Sequence, residues 1–372
     1  MSLRTPQLRA NRCTRFRYRY SQCTRCADAC PHSAIALGDE GAELDPTRCQ
    51  DCGLCTAVCH TAAWDSPSYK PIELLRQAIR QPSWSFACAP SGATADAVIP
   101  CLGAVQGVML AYLAKRGSPL TLRGAWHCDQ CAHGSKGAAQ LAANLDALNA
   151  LHDRARTATD KDWVMPAVAD NEQPVASRRA ATRASGFDPS RRQLFRRIVH
   201  RAANDVAEAT GAVKAQSVPA GAIRAGPYFV PEHRDLLQIV CKRADDQPVT
   251  VPLHDMLPLM QLTLHRGCTL CEACFRVCPT GALQIDENPG DWALTFQTDR
   301  CVGCQVCLEV CQPRVLDALV RSDARPEQAP IRLMEMSKQR CARCDRHFVS
   351  PSPQSTCVVC SDDEQAFTAI FG

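Results

Sequence analysis

The spacing of the cysteines constrains this chain more than any other feature. Eight cysteines form two consecutive sets of four with the same spacing: Cys268, Cys271, Cys274 and Cys278, then Cys301, Cys304, Cys307 and Cys311. Three thiols separated by pairs of residues can bind the corners of one [4Fe–4S] cubane, and the fourth reaches a neighbouring cluster. Buried or disulfide-paired cysteines do not produce two such sets, and zinc sites rarely use this triple spacing. The pattern indicates two iron–sulfur clusters.

This spacing resembles that of the bacterial two-cluster ferredoxins, in which the motifs exchange their fourth cysteines. The resemblance implies two ligand sets: Cys268, Cys271, Cys274 and Cys311 for one cluster, and Cys301, Cys304, Cys307 and Cys278 for the other. Between the motifs, residues 283–285 and 293–296 have the pattern of a short hairpin. Because each module offers little apolar surface, we expect its folding to be coupled to cluster binding.

A second copy of this arrangement lies near the N-terminus. It consists of one shortened motif and one complete motif: Cys23, Cys26 and Cys30, then Cys49, Cys52, Cys55 and Cys59. In the shortened motif Tyr20 stands where Cys268 supplies the first ligand of the later copy. We interpret Cys13 as the substitute ligand, brought back by a loop. The alternative is a three-cysteine cluster with Cys13 free.

Composition and length limit the class of protein. The chain has 372 residues, 25 cysteines and a net charge of +4, and its length predicts two or three domains. It begins without an apolar signal segment, and reduced thiols that bind metal are typical of the cytoplasm. We therefore expect a cytoplasmic protein with no integral membrane segment. The charge is too mild to indicate a nucleic-acid partner.

A different pattern begins at residue 71. Strands are predicted at residues 84–88, 97–100 and 120–122, with helices at 102–116 and from Gly134 onward, which favours a parallel α/β layer over residues 71–153. Four cysteines lie at the ends of these elements, where such sheets bind ligands: Cys88, Cys101, Cys128 and Cys131.

The segments around these four cysteines resemble the delta subunit of methyl-viologen-reducing hydrogenases and related heterodisulfide-reductase proteins, over residues 84–152. That resemblance implies a [2Fe–2S] cluster in this domain. Zinc and reduced structural cysteines remain as alternative interpretations of the same four residues.

The remaining segments are a linker, the later module and a C-terminal motif. Residues 154–227 are rich in Arg and Ala and include an amphipathic basic helix after Ser190, which could pack on a module, bind an acidic partner or lie on a membrane surface. Residues 228–325 form the later dicluster module, and we interpret Cys241 as a buried structural thiol.

Two CxxC pairs in residues 332–372 are typical of a closed structural zinc site, the knuckle of a zinc ribbon. Its predicted ligands are Cys341, Cys344, Cys357 and Cys360. Iron in a rubredoxin-like site is the alternative, although the glycines typical of rubredoxin knuckles are absent. The sequence thus predicts an α+β multidomain protein: an N-terminal dicluster module (1–70), a central α/β domain, the linker, the second module and this knuckle.

Clusters whose irons all carry protein thiolates move single electrons and bind no substrate. No dinucleotide fingerprint and no catalytic triad can be recognised. The leading hypothesis is a polyferredoxin-type subunit with four [4Fe–4S] clusters, serving a hydrogenase, formate dehydrogenase or disulfide reductase without catalysing the reaction itself. The alternatives are a metalloenzyme assembly factor and a redox-sensing regulatory protein. Arginines near the first module should raise its reduction potential: Arg12, Arg15, Arg17, Arg19 and Arg25.

Overall fold

The computed structural model describes most of the chain. The described residues are 5–155, 163–169, 182–183, 223–224, 226–243, 245 and 247–362. The predicted basic helix after Ser190 and most of the predicted linker lie outside them.

The helices are mostly short. In chain order they are α1 (Thr14–Arg17), α2 (Arg25–Ala29), α3 (Leu54–Ala57), α4 (Pro71–Ala78), α5 (Gly107–Lys115), α6 (Gly134–Ala155), α7 (Glu232–Cys241), α8 (Ala273–Val277) and α9 (Val306–Val310). Short 3₁₀ segments cover Ala10–Arg12, Ala89–Ser91, Leu102–Ala104, Ala125–Gln130 and Thr298–Arg300.

The strands form several small sheets. They are β1 (Gln7–Leu8), β2 (Ile35–Gly38), β3 (Gly41–Leu44), β4 (Trp64–Asp65), β5 (Trp84–Cys88), β6 (Ala97–Ile99), β7 (Leu120–Arg123), β8 (Ala167–Val168), β9 (Thr182–Arg183), β10 (Thr250–Pro252), β11 (Leu262–Leu264), β12 (Leu283–Asn288), β13 (Asp291–Phe296), β14 (Leu316–Ala318), β15 (Arg321–Asp323), β16 (Ile331–Arg340) and β17 (His347–Ser350).

The N-terminal module is built around the β2–β3 hairpin. Gly41 begins β3 with a φ of +116°, a conformation that L side chains rarely adopt. The antiparallel pair β1–β4 ties the start of the module to its end. The buried core between these elements contains few apolar side chains and includes Cys30 and Cys55. The cysteine ligands therefore form a substantial part of the core of this module.

A five-stranded parallel sheet forms the central domain. Its strand order is β8-β7-β5-β6-β9, and β5 has the predicted bounds Trp84–Cys88 with Phe86 fully buried. The single helix predicted over 102–116 is divided into a 3₁₀ turn and α5. The interruption lies at Val105 and Gln106, whose backbones are extended. The 3₁₀ turn also touches α6, because a Cβ at Gly103 would lie 2.6 Å from the carbonyl oxygen of Gly137.

The helix α7 and the segment after it pack into the same central core. Leu237, Val240 and Val251 are fully buried there, and Lys115 at the end of α5 donates a hydrogen bond to the carbonyl of Val240 at 2.8 Å. Helix α7 and strand β10 thus pack against α5 and α6 of the central domain, although they lie in the segment predicted for the second module. The predicted domain boundaries stay predictions.

The second module carries the C-terminal segment on its sheet. The β12–β13 hairpin contains both predicted strands, and β16 pairs with β13 while β17 pairs with β16. The predicted zinc knuckle therefore continues the sheet of this module. No helix in the described part of the chain is both long and apolar enough to cross a membrane.

Candidate iron–sulfur and metal sites

The first thiol site draws on both N-terminal motifs. Site A contains Cys13, Cys23, Cys26 and Cys59. The pKa of Cys26 is raised to about 12, chiefly by burial and further by the nearby thiols of Cys59, Cys13 and Cys23. Burial also raises the pKa of Cys13, and the neighbouring thiols of Cys59 and Cys23 raise it further. The structure thus brings Cys13 to the site that lacks a cysteine at Tyr20.

Local structure explains the position of Cys13. The residue follows the 3₁₀ turn Ala10–Arg12 and caps α1, which turns the chain back toward the motif. Two residues later, the Nε atom of Arg15 donates a hydrogen bond to the carbonyl of Cys23 at 2.7 Å. On the other side, a Cβ at Gly41 would lie 3.6 Å from the Cys13 sulfur, so the hairpin packs directly against it.

Site B uses the remaining thiols of the N-terminal module: Cys30, Cys49, Cys52 and Cys55. Burial raises the pKa of both Cys52 and Cys55 well above the ordinary value of a thiol. The thiols of Cys49 and Cys30 raise the pKa of each of them further. The last cysteine of each N-terminal motif therefore lies beside the thiols of the other motif, the arrangement that the ferredoxin resemblance implies.

The second module has the same arrangement. Site C contains Cys268, Cys271, Cys274 and Cys311, and site D contains Cys278, Cys301, Cys304 and Cys307. The pKa of Cys274 is raised to about 12 and that of Cys301 to about 11, in both cases mainly by burial. Each set of four lines one small cavity, together with apolar residues such as Trp292 at site C and Phe296 at site D.

These surroundings fit an iron–sulfur cluster. Buried thiols that raise one another's pKa stay protonated unless a metal replaces the protons, so binding releases protons and supplies the missing positive charge. In three motifs the backbone N–H of an alanine donates a hydrogen bond to the sulfur of the last cysteine: Ala34 to Cys30 at 3.3 Å, Ala63 to Cys59 at 3.3 Å and Ala282 to Cys278 at 3.2 Å. Such donors stabilise ligated sulfur and set the cluster potential.

Site E lies at the carboxyl ends of the central strands. It contains Cys88, Cys101, Cys128 and Cys131, which line one cavity and are mutual electrostatic neighbours. Burial raises the pKa of Cys101 to about 12. A Cβ at Gly137 would lie 3.1 Å from the Cys101 sulfur, so α6 forms a close wall of the site.

A pair of histidines joins site E to site B. The Nε2 atom of His32 lies 3.1 Å from the Nδ1 atom of His133. His32 follows Cys30 of site B by two residues, and His133 follows Cys131 of site E by two. His133 is buried, and burial lowers its pKa to about 4. Burial also lowers the pKa of His32.

The five sites lie in one continuous order, C, D, A, B and E. One pair of neighbouring cysteines connects each site to the next: Cys274 and Cys307, Cys304 and Cys23, Cys26 and Cys55, and Cys52 and Cys101. At the first end Cys271 is exposed, and at the other end Cys128 and Cys131 are partly exposed. Nothing in the motif spacing indicates this order, because it depends on contacts between modules distant in sequence.

Two buried arginines lie beside site D, and the sequence analysis did not predict either of them there. Arg17 and Arg234 have almost no exposed surface. Arg17 donates hydrogen bonds to the carbonyls of Val277 at 2.8 Å and Cys278 at 3.1 Å. Arg234 donates one to the carbonyl of Cys301 at 2.8 Å. The only sequence signal was an arginine-rich first module, which does not reveal that Arg17 reaches the second one.

The C-terminal cysteines form a smaller site. The sulfurs of Cys341, Cys344, Cys357 and Cys360 all lie within 4.8 Å of one another, the only such group of three or more potential ligands found among the described residues. A tetrahedral ion with Zn–S bonds of about 2.3 Å separates its sulfurs by about 3.8 Å. The sulfurs of Cys344 and Cys357 are 3.8 Å apart. Backbone N–H groups of Cys357 and Cys344 lower the pKa of Cys341 to about 6, which favours the thiolate that a metal needs.

Comparisons with known proteins match the cysteine modules. The family model described as a 4Fe-4S dicluster domain matches residues 21–63 and residues 267–315. These two segments are ferredoxin-type [4Fe–4S] dicluster modules. Cys13 lies outside the matched segments, and so do residues 84–152, where the resemblance to the hydrogenase delta subunit stays a prediction.

Two curated relatives are similar over part of the chain. The pyruvate synthase subunit PorD of Methanocaldococcus jannaschii is 43% identical over 44 residues, which cover 12% of this chain and 48% of PorD. The electron transport protein HydN of Escherichia coli is 26% identical over 103 residues, which cover 26% of this chain and 57% of HydN. The chain thus spans about half the length of the curated relatives it matches. No solved structure matches it.

Proposed function

We propose that this protein relays single electrons through four [4Fe–4S] clusters, one at each of sites A, B, C and D. The observation that carries the proposal is the continuous series of neighbouring thiol sites across two dicluster modules. Because electron transfer slows steeply with distance, closely spaced centres favour transfer through the protein.

Each cluster would have four cysteine ligands. Cys13, Cys23, Cys26 and Cys59 would hold the cluster at site A, which gives Cys13 the role of the cysteine missing at Tyr20. With all irons bound by protein thiolates, these clusters supply one-electron transfer and offer no open iron to a substrate. The surrounding residues would then position the clusters and exclude water from them.

Site E is proposed as a fifth redox centre that holds a [2Fe–2S] cluster. Its four cysteines share one cavity, and Cys101 neighbours Cys52 of site B, so electrons could pass between the two domains. The C-terminal cysteines are proposed to bind zinc in a structural zinc-ribbon knuckle, a role supported by the sulfur spacing of 3.8 Å.

The proposed partner is an oxidoreductase. One similar protein is called a subunit of pyruvate synthase and the other an electron transport protein, which supports service to a redox enzyme. The exposed Cys271 at site C and the partly exposed Cys128 and Cys131 at site E mark the two proposed points of electron entry and exit.

Anaerobic purification followed by iron analysis and Mössbauer spectroscopy tests the proposal. We expect four [4Fe–4S] clusters per chain, all reduced by dithionite and all rapidly reoxidised by a one-electron acceptor. Absence of the clusters would reject the relay. Clusters that are present but inert to the acceptor would also reject it and would favour a structural role of the clusters in metalloenzyme assembly or regulation.

A further inference from the structure

Arg17 carries a buried positive charge across the contact between the two modules. The residue belongs to α1 of the first module and is 1% exposed. Its guanidinium donates to four backbone carbonyls, three of them in the second module: Asn11 at 3.3 Å, Val277 at 2.8 Å, Arg276 at 3.2 Å and Cys278 at 3.1 Å. The guanidinium therefore lies against the backbone that bears the Cys278 ligand of site D.

No carboxylate within the described ranges forms an ion pair with Arg17. Its electrostatic neighbours are instead Cys278, Tyr228 and Cys304, of which Cys278 and Cys304 belong to site D. A buried cation without a counter-charge is strongly destabilising. The negative charge of a thiolate-bound cluster at site D would supply that counter-charge, so Arg17 and site D complement each other.

Arg234 provides a second buried cation at the same site. Its side chain is fully buried in α7 and donates to the carbonyls of Cys301 and Thr298, both at 2.8 Å. Asp299 is its nearest carboxylate, at 4.0 Å, which leaves the ion pair loose. The Cys301 thiol of site D is also an electrostatic neighbour of Arg234.

Site D is also the enclosed site between the two modules. Its ligands Cys278, Cys301 and Cys307 are buried. Reduction of a cluster adds one negative charge, and burial disfavours that charge because the protein solvates it less well than water does. Without compensation, an enclosed cluster here would be hard to reduce and would hinder transfer between sites C and A.

We propose that Arg17, assisted by Arg234, raises the reduction potential of the cluster at site D and so keeps this enclosed centre reducible. The inference rests on the proposed function. The two arginines bind no iron and act through their charge, Arg17 beside the Cys278 ligand and Arg234 beside the Cys301 ligand. Positive charge close to a cluster is one of the means by which a protein sets its potential.

A redox titration monitored by electron paramagnetic resonance tests this inference on the full chain. The site D signal is assigned with a Cys304→Ser variant, which changes one ligand of that cluster. At a fixed potential we expect Arg17→Gln to lower the ratio of reduced to oxidised site D at least tenfold, a downward shift of about 59 mV for one electron. Arg234→Gln should shift the same signal downward.

Two further variants separate charge from structure. Arg17→Lys keeps the positive charge but loses the planar fork, so it should retain most of the wild-type potential. Arg276→Gln removes an exposed arginine from the same segment, where the side chain pairs with Glu272, and should leave the potential unchanged. Equal shifts in Arg17→Gln and Arg17→Lys would overturn the inference, because the cause would then be structural.

The outcomes also distinguish this inference from the proposed function. Four reducible clusters whose potentials do not change in Arg17→Gln and Arg234→Gln would reject the role of the arginines and leave the relay intact. A wild-type protein without a reducible cluster at site D would reject the relay itself.

Discussion

The Nε atom of Arg17 donates a hydrogen bond of 2.8 Å to the carbonyl of Val277, 260 residues further along the chain. This contact joins two dicluster modules that are separated in sequence by the central domain. It is accompanied by a small apolar interface in which Tyr18 packs against Val277, Val306 and Val310. The proposed electron path crosses between the modules beside this interface.

The first prediction concerns the stability of that interface. Tyr18 is 7% exposed and Tyr20 is 58% exposed. Tyr18→Ala should lower the free energy of unfolding by about 3 kcal/mol, because it removes a buried aromatic ring. Tyr20→Ala is the control at an exposed position and should lower it by no more than about 1 kcal/mol, because its ring makes only an edge contact with Tyr18. Denaturant unfolding of the cluster-loaded protein checks both, and equal effects would show that Tyr18 does not hold the modules together.

The second prediction tests Cys13 as a cluster ligand. Cys13→Ala should remove or degrade one cluster, because site A then has only three thiols. Iron analysis and Mössbauer spectroscopy should show three intact [4Fe–4S] clusters and a lost or three-iron centre. Cys241→Ala removes a buried thiol that is a neighbour of no site and should leave the iron content unchanged. An unchanged set of four clusters in Cys13→Ala would mean that Cys13 is free.

The third prediction concerns site E. Cys101→Ser should remove the metal of the central domain while the four [4Fe–4S] clusters remain, since Cys101 lies in site E. Metal analysis and electron paramagnetic resonance of the wild type should detect a [2Fe–2S] signal that the variant lacks. Zinc in place of iron would show that site E is structural and not a redox centre. Absence of any metal would show that the four residues are reduced structural cysteines.

The fourth prediction concerns the C-terminal site. Cys344→Ser should lose one zinc per chain and leave the iron content unchanged, because the site lies apart from sites A to E. Ser355→Ala changes an exposed residue between β17 and Cys357 and should retain the zinc. Elemental analysis of both variants is sufficient, and iron at this position in the wild type would indicate a rubredoxin-like centre.

The fifth prediction concerns the reactivity of Cys241. Burial raises the pKa of this thiol to about 12, and alkylation requires the thiolate. Cys241 should therefore resist iodoacetamide at pH 8 in the native protein and react only after unfolding. Peptide mass spectrometry measures the labelling. Rapid labelling of the native protein would contradict a buried structural thiol.

Sequence reasoning predicted the features that short segments determine. The spacing of cluster ligands is a property of one loop, so the sequence alone indicated the cysteine motifs that begin at Cys268 and Cys301. Strand β5 followed from the apolar run at Trp84–Cys88. The order of the sites was not predictable, because the proximity of Cys23 to Cys304 depends on how the two modules pack.

The N-terminal arginines illustrate the same limit. Their position in the sequence led us to expect a raised potential in the first module. In the structure Arg17 reaches the second module, and Arg25 donates a hydrogen bond to the carbonyl of Asp255 at 2.6 Å. Arg15, in contrast, donates a hydrogen bond to the carbonyl of Cys23, a cysteine of site A. The direction of a long side chain is decided by tertiary packing, which its neighbours in sequence do not reveal.

In the proposed relay, sites in both modules form one electron path within a single chain. The most direct test reduces the protein with one electron per chain, freezes samples at successive times and measures the reduced clusters by electron paramagnetic resonance. We predict that the electron distributes over both modules at a rate independent of protein concentration. A rate that rises in proportion to protein concentration would show transfer between molecules and contradict the path through Cys23 and Cys304.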